Sequence, residues 1–193
     1  FCTMRCGFCN LFTTPNPNRS LVTLYIEGLR RQAESVKAAI PGARFSRFAI
    51  GGGTPTFLDA RELAALFDLV NETFGVDSSR VPTGIEVSPD TISSEKVRIL
   101  LDRGVERFSI GIQSLVEAET SCAGRPQKIS EVEAALDLLA GSVPALNVDL
   151  IYGLPGQSVA SWLFSLKEAL AYEPAELYLY PLYVRPLTGL GRS

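Results

Sequence analysis

Strand-like and helix-like segments alternate from one end of this chain to the other, and that alternation restricts its fold more than any other feature. Val22, Ile26, Leu29, Ala33, Val36 and Ile40 recur at helical spacing up to Pro41-Gly42. A short strand at 47–50 runs into Gly51-Gly52-Gly53-Thr54-Pro55. Asp59 with Glu62 reads as a capping box for a helix carrying Leu63, Leu66, Val70 and Phe74 on one face. Further strands are predicted at 83–87, 106–113, 145–152 and 176–183. Between them fall a helix at 93–103 stopped by Gly104, a helix capped by Ser130 and Glu133, and a helix at 158–172.

Such alternation implies a parallel sheet with right-handed crossovers. A full eight-fold barrel takes about 250 residues. Five strands, with a sixth expected before Phe1, predict a partial (β/α)6-type TIM barrel: one α/β domain over residues 1–193, truncated at both ends. A doubly wound open sheet is the alternative, but the chain has no G-x-G-x-x-G entering a helix.

The polar residues gather at one end of these strands. Gly51–Pro55 follow one strand, and Glu86 closes the next in Ile85-Glu86-Val87-Ser88-Pro89. Phe108, Ile110 and Ile112 share one face of a strand, leaving Ser109, Gly111 and Gln113 on the other. Asn147 and Asp149 share parity inside an apolar run. In a parallel barrel the C-terminal rim carries the active site. A carboxylate within a strand needs a partner, which marks Glu86 and Asp149. Gln113 also suits a tie between strands, Arg125 a surface loop, and Tyr178, Tyr180 and Tyr183 a barrel wall.

Cys2, Cys6 and Cys9 form a C-x3-C-x2-C pattern at the start of the chain. Three thiolates with no fourth ligand nearby point to an iron–sulfur cubane with one iron open, set against three free structural thiols. The chain has no His, which removes Cys–His zinc sites, Cys–His dyads and Ser–His–Asp triads. Cys122 is expected to be a small buried or semi-buried residue. Four Cys in 193 residues do not make a disulfide framework. The net charge of −3, with both signs mixed, offers no nucleic-acid footprint. No apolar run approaches the roughly 18–20 residues of a membrane span. A soluble, cytoplasmic domain is expected.

Cys2-x3-Cys6-x2-Cys9, with Phe8 just before the third cysteine, resembles the cluster loop of radical S-adenosylmethionine (SAM) enzymes. The blocks Gly51–Thr56, Glu86-Val87-Ser88-Pro89, Ser109–Ser114, Gly124-Arg125 and Asp149–Gly156 follow in the order seen in the oxygen-independent coproporphyrinogen III oxidase (HemN/HemW-like) group. The resemblance implies a radical SAM core in which Cys2, Cys6 and Cys9 hold a 4Fe–4S cluster whose open iron chelates SAM. One-electron reduction then yields methionine and a hydrogen-abstracting 5′-deoxyadenosyl radical. Gly52 and Glu86 match contacts to the cluster-bound SAM. Phe8, Gly53, Thr54, Gln113, Arg125 and Asp149 match positions around a second SAM molecule, and Tyr183 falls where a further pocket residue of another type is expected. A tetrapyrrole substrate and a reduced flavodoxin or ferredoxin as electron donor are implied as well. Coproporphyrinogen oxidases of the group carry a Cys two residues after the third, where this chain has Leu11. Other proteins with the same core are haem chaperones or methyltransferases that use two SAM molecules.

Overall fold

The structure, a computed structural model, describes residues 1–192; Ser193, the last residue of the expected domain, lies outside them. Helix α1 (Arg19–Ala39) precedes β1 (Phe48–Ile50), a 3-10 turn (Pro55–Phe57) and α2 (Ala60–Phe74). Then come β2 (Thr83–Val87), α3 (Ser94–Asp102), β3 (Arg107–Gln113), α4 (Glu117–Cys122) and α5 (Ile129–Leu139). The chain continues with β4 (Ala145–Tyr152), α6 (Val159–Leu170), β5 (Glu176–Pro181) and α7 (Gly189–Arg192). The five strands pair in parallel in the order β1-β2-β3-β4-β5. A sequential order with right-handed crossovers keeps every crossover helix on one face, so the sheet is a barrel wall. A doubly wound sheet would reverse its order part-way.

The alternation of side chains decides what each face of that wall holds. Ile85, Val87, Phe108, Ile110, Ile112, Leu146, Val148 and Leu150 are buried in one core with Leu63, Phe67, Leu100, Leu136, Leu139 and Ala169 of the helices. The intervening residues, Glu86, Ser109, Gly111 and Asp149, face the concave side. Register carries them into rows, with Glu86 beside Ser109 and Gly111 beside Asp149.

Local signals explain most element ends. Asp59 and Glu62 form the reciprocal capping box, Glu62 N donating to Asp59 Oδ1 (2.9 Å) and Asp59 N to Glu62 Oε2 (2.8 Å). Ser93 caps α3, which ends just before Gly104 at φ +77°. The expected cap of Ser130 and Glu133 does not form. Helix α5 begins at Ile129, and its first N–H donates to Glu117 Oε1 (2.8 Å) from α4, so a cap from a distant residue replaces a local one. Helix α4 itself carries no apolar periodicity that would have announced it. Cys122, expected to be buried or semi-buried, is exposed on the last turn of α4. The final strand stops at Pro181 rather than 183, with Leu182 N donating to Tyr152 O (2.8 Å) as the last bond to β4. No helix among the described residues is long and apolar enough to cross a membrane.

Replacing Asp59 with Ala removes the cap of α2 and should cost about 1 kcal/mol. For a domain of this size, that lowers the melting temperature by roughly 2–4 °C. A melting curve matching the parent protein would show that the box contributes nothing.

Candidate functional site

The cysteine loop has no regular secondary structure, so its place depends on what it touches. Gly7 N donates to Ala123 O (3.0 Å) at the end of α4, and Thr54 N donates to Phe1 O (2.7 Å). Both contacts are backbone to backbone and need glycine. A Cβ on Gly7 would lie 2.6 Å from Ala123 O. Gly53 sits at φ +65°, and a Cβ there would lie 2.7 Å from Phe1 O. Within the loop Cys9 N donates to Cys6 O (3.1 Å), and Asn16 N to Cys2 O (2.8 Å). Thr3 Oγ1 donates to Asp90, which also accepts from Ser88 Oγ (2.6 Å), tying the loop to the rim after β2.

Cys2, Cys6 and Cys9 line one cavity of about 170 Å³ together with Phe8, Gly53, Thr54, Gln113 and Arg125. Each sulfur has a polar neighbour. Thr54 Oγ1 donates to Cys2 Sγ (3.4 Å), Arg125 Nη1 donates to Cys6 Sγ (3.4 Å), and Thr13 Oγ1 lies 3.9 Å from Cys9 Sγ. Among the described residues no group of three or more His, Cys, Asp or Glu side chains is gathered tightly enough to hold a single metal ion. A cubane cluster makes a different demand, because each thiolate binds its own iron. Three thiols around one cavity, each beside a group able to hydrogen-bond it, fit that demand.

A second cavity of about 390 Å³ adjoins the first and shares Phe8, Gly53, Thr54, Ser88, Gln113 and Arg125 with it. Beyond that common wall it is lined by Glu86, Ser109, Asp149, Tyr180 and Leu11. Small-molecule sites run to about 300–1,000 Å³, so the larger cavity suits a nucleoside-sized ligand and the smaller does not. Gly52 lies off both cavities but is bound to the site through Glu86, whose Oε2 accepts from Gly52 N (3.0 Å). Tyr183 is not brought to either cavity. It is 69% exposed, with Arg185 over its ring at 5.0 Å, while Tyr180 provides the aromatic wall.

Backbone strain turns Gln113 into the site. The ladder between β3 and β4 shifts register between Gly111 and Gln113, and Gln113 adopts φ +63°. Ser114 N donates to Ile112 O (2.7 Å), closing a three-residue turn around it. A left-handed non-glycine residue at a strand end costs of order 1–3 kcal/mol, and such strain clusters at functional sites.

Below Gln113 lies a polar row. Asn147 Nδ2 donates to Ser109 Oγ (2.7 Å) and Asp149 Oδ1 (2.8 Å), and Ser109 Oγ donates to Asp149 Oδ2 (3.0 Å). Burial pushes the Asp149 carboxyl above its ordinary value, against these hydrogen bonds and the Arg107 charge, which pull it down. Asn147 Oδ1 is buried without a hydrogen-bond partner among the described residues. Two further residues were not marked by the sequence. Ser88 bridges Arg125 and Asp90, and Gln127 accepts from Arg125 Nε (3.2 Å). Ser88 lies inside the Glu86–Pro89 block and Gln127 two residues after Arg125, but the sequence singles out neither there for a role of its own.

The radical SAM superfamily model matches residues 1–169. The chain belongs to the radical SAM superfamily. The cofactors of that superfamily are a 4Fe–4S cluster and SAM. Within it the chain stands with the HemN/HemW group. It is 30% identical over 182 residues to the oxygen-independent coproporphyrinogen III oxidase of Paracoccus denitrificans (strain Pd 1222), covering 93% of this chain and 40% of that protein. It is 29% identical over 192 residues to the heme chaperone HemW of Bacillus subtilis (strain 168), covering 97% of this chain and 50% of that protein. The structure of coproporphyrinogen III oxidase (HemN) from Escherichia coli superposes with a TM-score of 0.88 at 28% identity, over 100% of this chain and 44% of that one. The radical SAM methyltransferase TsrM from Kitasatospora setae shares the fold alone (TM-score 0.68, 13% identity, 98% of this chain and 34% of that one). The chain thus spans about half the length of these curated relatives, or less.

The raised Asp149 value has a definite sign in stability. Its contribution to folding is complete below the unfolded value of about 3.9 and is lost as pH rises through the higher folded value. Asp149→Asn is therefore expected to melt higher than the parent at pH 7, with the gain shrinking as pH falls through the raised folded value and gone below about 3.9. A difference in melting temperature that stays constant from pH 3.5 to 7 would remove burial of the charge as the cause.

Proposed function

We propose that Cys2, Cys6 and Cys9 hold the 4Fe–4S cluster, that Gly52 and Glu86 bind the SAM beside it, and that the chain is the core of an oxidoreductase of the oxygen-independent coproporphyrinogen III oxidase type. Its substrate class is a tetrapyrrole. One observation carries the reading: three thiols, each beside a hydrogen-bonding group, line a cavity that opens across a shared wall onto the exposed Glu86 and half-buried Asp149 carboxylates. When bound, the two cofactors supply one-electron cleavage of SAM and abstraction of a substrate hydrogen by the 5′-deoxyadenosyl fragment.

The chain's own residues do the positioning. Glu86 offers its carboxylate to the ammonium of the first SAM and fixes the Gly52 backbone with the same group. Phe8, Gly53, Thr54, Gln113, Arg125 and Asp149 line the larger cavity, which is assigned to a second SAM. Phe8 and Tyr180 add aromatic rings to its wall. A reduced flavodoxin or ferredoxin would deliver the electron, and the cytoplasm is the compartment that suits free thiols.

A second reading is supported by Leu11. It lines the larger cavity at the position where the oxidases of this group carry a further Cys, and an apolar, half-exposed leucine there suits haem binding by a chaperone. The deciding experiment is an anaerobic incubation of the reconstituted full-length protein with dithionite and SAM, followed by mass spectrometry of the nucleosides. We expect 5′-deoxyadenosine, absent from Cys6→Ala, which should also lose the visible iron–sulfur absorption. S-adenosylhomocysteine beside it would assign methyl transfer instead. Neither product from a fully loaded protein, with a new Soret band on haem titration, would overturn the enzyme reading in favour of the chaperone.

A further inference from the structure

Arg125 occupies a position that cofactor binding in the larger cavity does not explain. Its guanidinium is fixed by every nitrogen it has. Nη2 donates to Gly111 O (2.8 Å) and Ser88 Oγ (3.2 Å), Nε donates to Gln127 Oε1 (3.2 Å), and Nη1 is left to point at Cys6 Sγ (3.4 Å). Its backbone is fixed too, with Arg125 N donating to Thr120 O (2.8 Å). Among the described residues Arg125 forms no salt bridge with a carboxylate. Its fixed partners are neutral, so the charge is available to the sulfur.

Gln127 explains the aim. Its amide nitrogen donates to Ile112 O (2.8 Å) and Ser114 O (3.1 Å), the carbonyls on either side of the strained Gln113 turn. The amide oxygen is thereby presented to Arg125 Nε. The end of β3 thus holds Gln127, Gln127 holds the guanidinium plane, and the plane directs Nη1 to Cys6. A lysine could supply the charge but not this fork.

We propose that Arg125 sets the reduction potential of the cluster through Cys6, and that Gln127 is the positioning residue that aims it. The proposal rests on the reading of Cys6 as a cluster ligand. Reduction adds one electron to the cluster, so a cation hydrogen-bonded to a ligand sulfur stabilises the reduced form more than the oxidised form. The pair therefore raises the potential and eases electron uptake from a low-potential donor.

The test is an anaerobic redox titration of the reconstituted full-length protein with dithionite, followed by EPR, without SAM, on the parent, Arg125→Gln and Gln127→Leu. At a fixed potential the ratio of reduced to oxidised cluster should fall about tenfold in Arg125→Gln, a shift of about 59 mV for a one-electron couple. Gln127→Leu, which keeps the charge but loses the aim, should shift the same way by less. Parent midpoints in whichever variants load iron would overturn the proposal. So would a shift that appears only when SAM is added, since Arg125 would then act on SAM. Loss of the cluster from both variants, with the parent loaded, would make the pair structural and overturn it as well. A parent that loads no cluster, or a full cluster in Cys6→Ala, would instead bring down the ligand reading itself.

Discussion

The site depends on a seat made of bare backbone. The cysteine loop has no helix or strand of its own, and it meets the rim where Gly7 faces Ala123 and where Phe1 faces Gly53 and Thr54. Each of these hydrogen bonds is worth only about 1 kcal/mol net. Their effect comes from distance, because with no side chain between them the loop and the rim close to contact. The three sulfurs then face the ends of β1, β2 and β3 instead of solvent, and Thr54 and Arg125 reach two of them.

Charge is divided across that seat. The thiols lie on one side of the shared wall and the Glu86 and Asp149 carboxylates on the other, Asp149 with its serine and asparagine partners, while the Arg125 guanidinium stands in the wall itself. A carboxylate held in the barrel against burial is stability given up for a fixed electrostatic environment. The Gln113 turn lies between the two halves and serves both. It lines each cavity, and the carbonyls flanking it hold Gln127 and through it Arg125.

Much of the wall was legible because a parallel sheet with one buried face writes itself as an alternation. Phe108, Ile110 and Ile112 announced the buried side of β3 and so placed Ser109, Gly111 and Gln113 on the other. The capping box at Asp59 and Glu62 and the stop at Gly104 were equally local and equally clear. Helix α4 was not. It is short and lacks an apolar stripe, and it packs its N-terminal carboxylate onto the start of α5 rather than signalling its own ends. Cys122 was misplaced for the same reason, since its exposure follows from a helix the sequence did not disclose.

By itself the sequence determined the order of elements, the rim on which polar residues gather and the set of thiols available to it. These follow from periodicity and spacing, which are properties of neighbours along the chain. Tertiary structure alone decided that Tyr180 and not Tyr183 walls the larger cavity, because that depends on where β5 ends and the chain turns away. It also decided that Arg125 points at Cys6 and that Gln127 holds it there, a juxtaposition of residues 119 positions apart that no local pattern records.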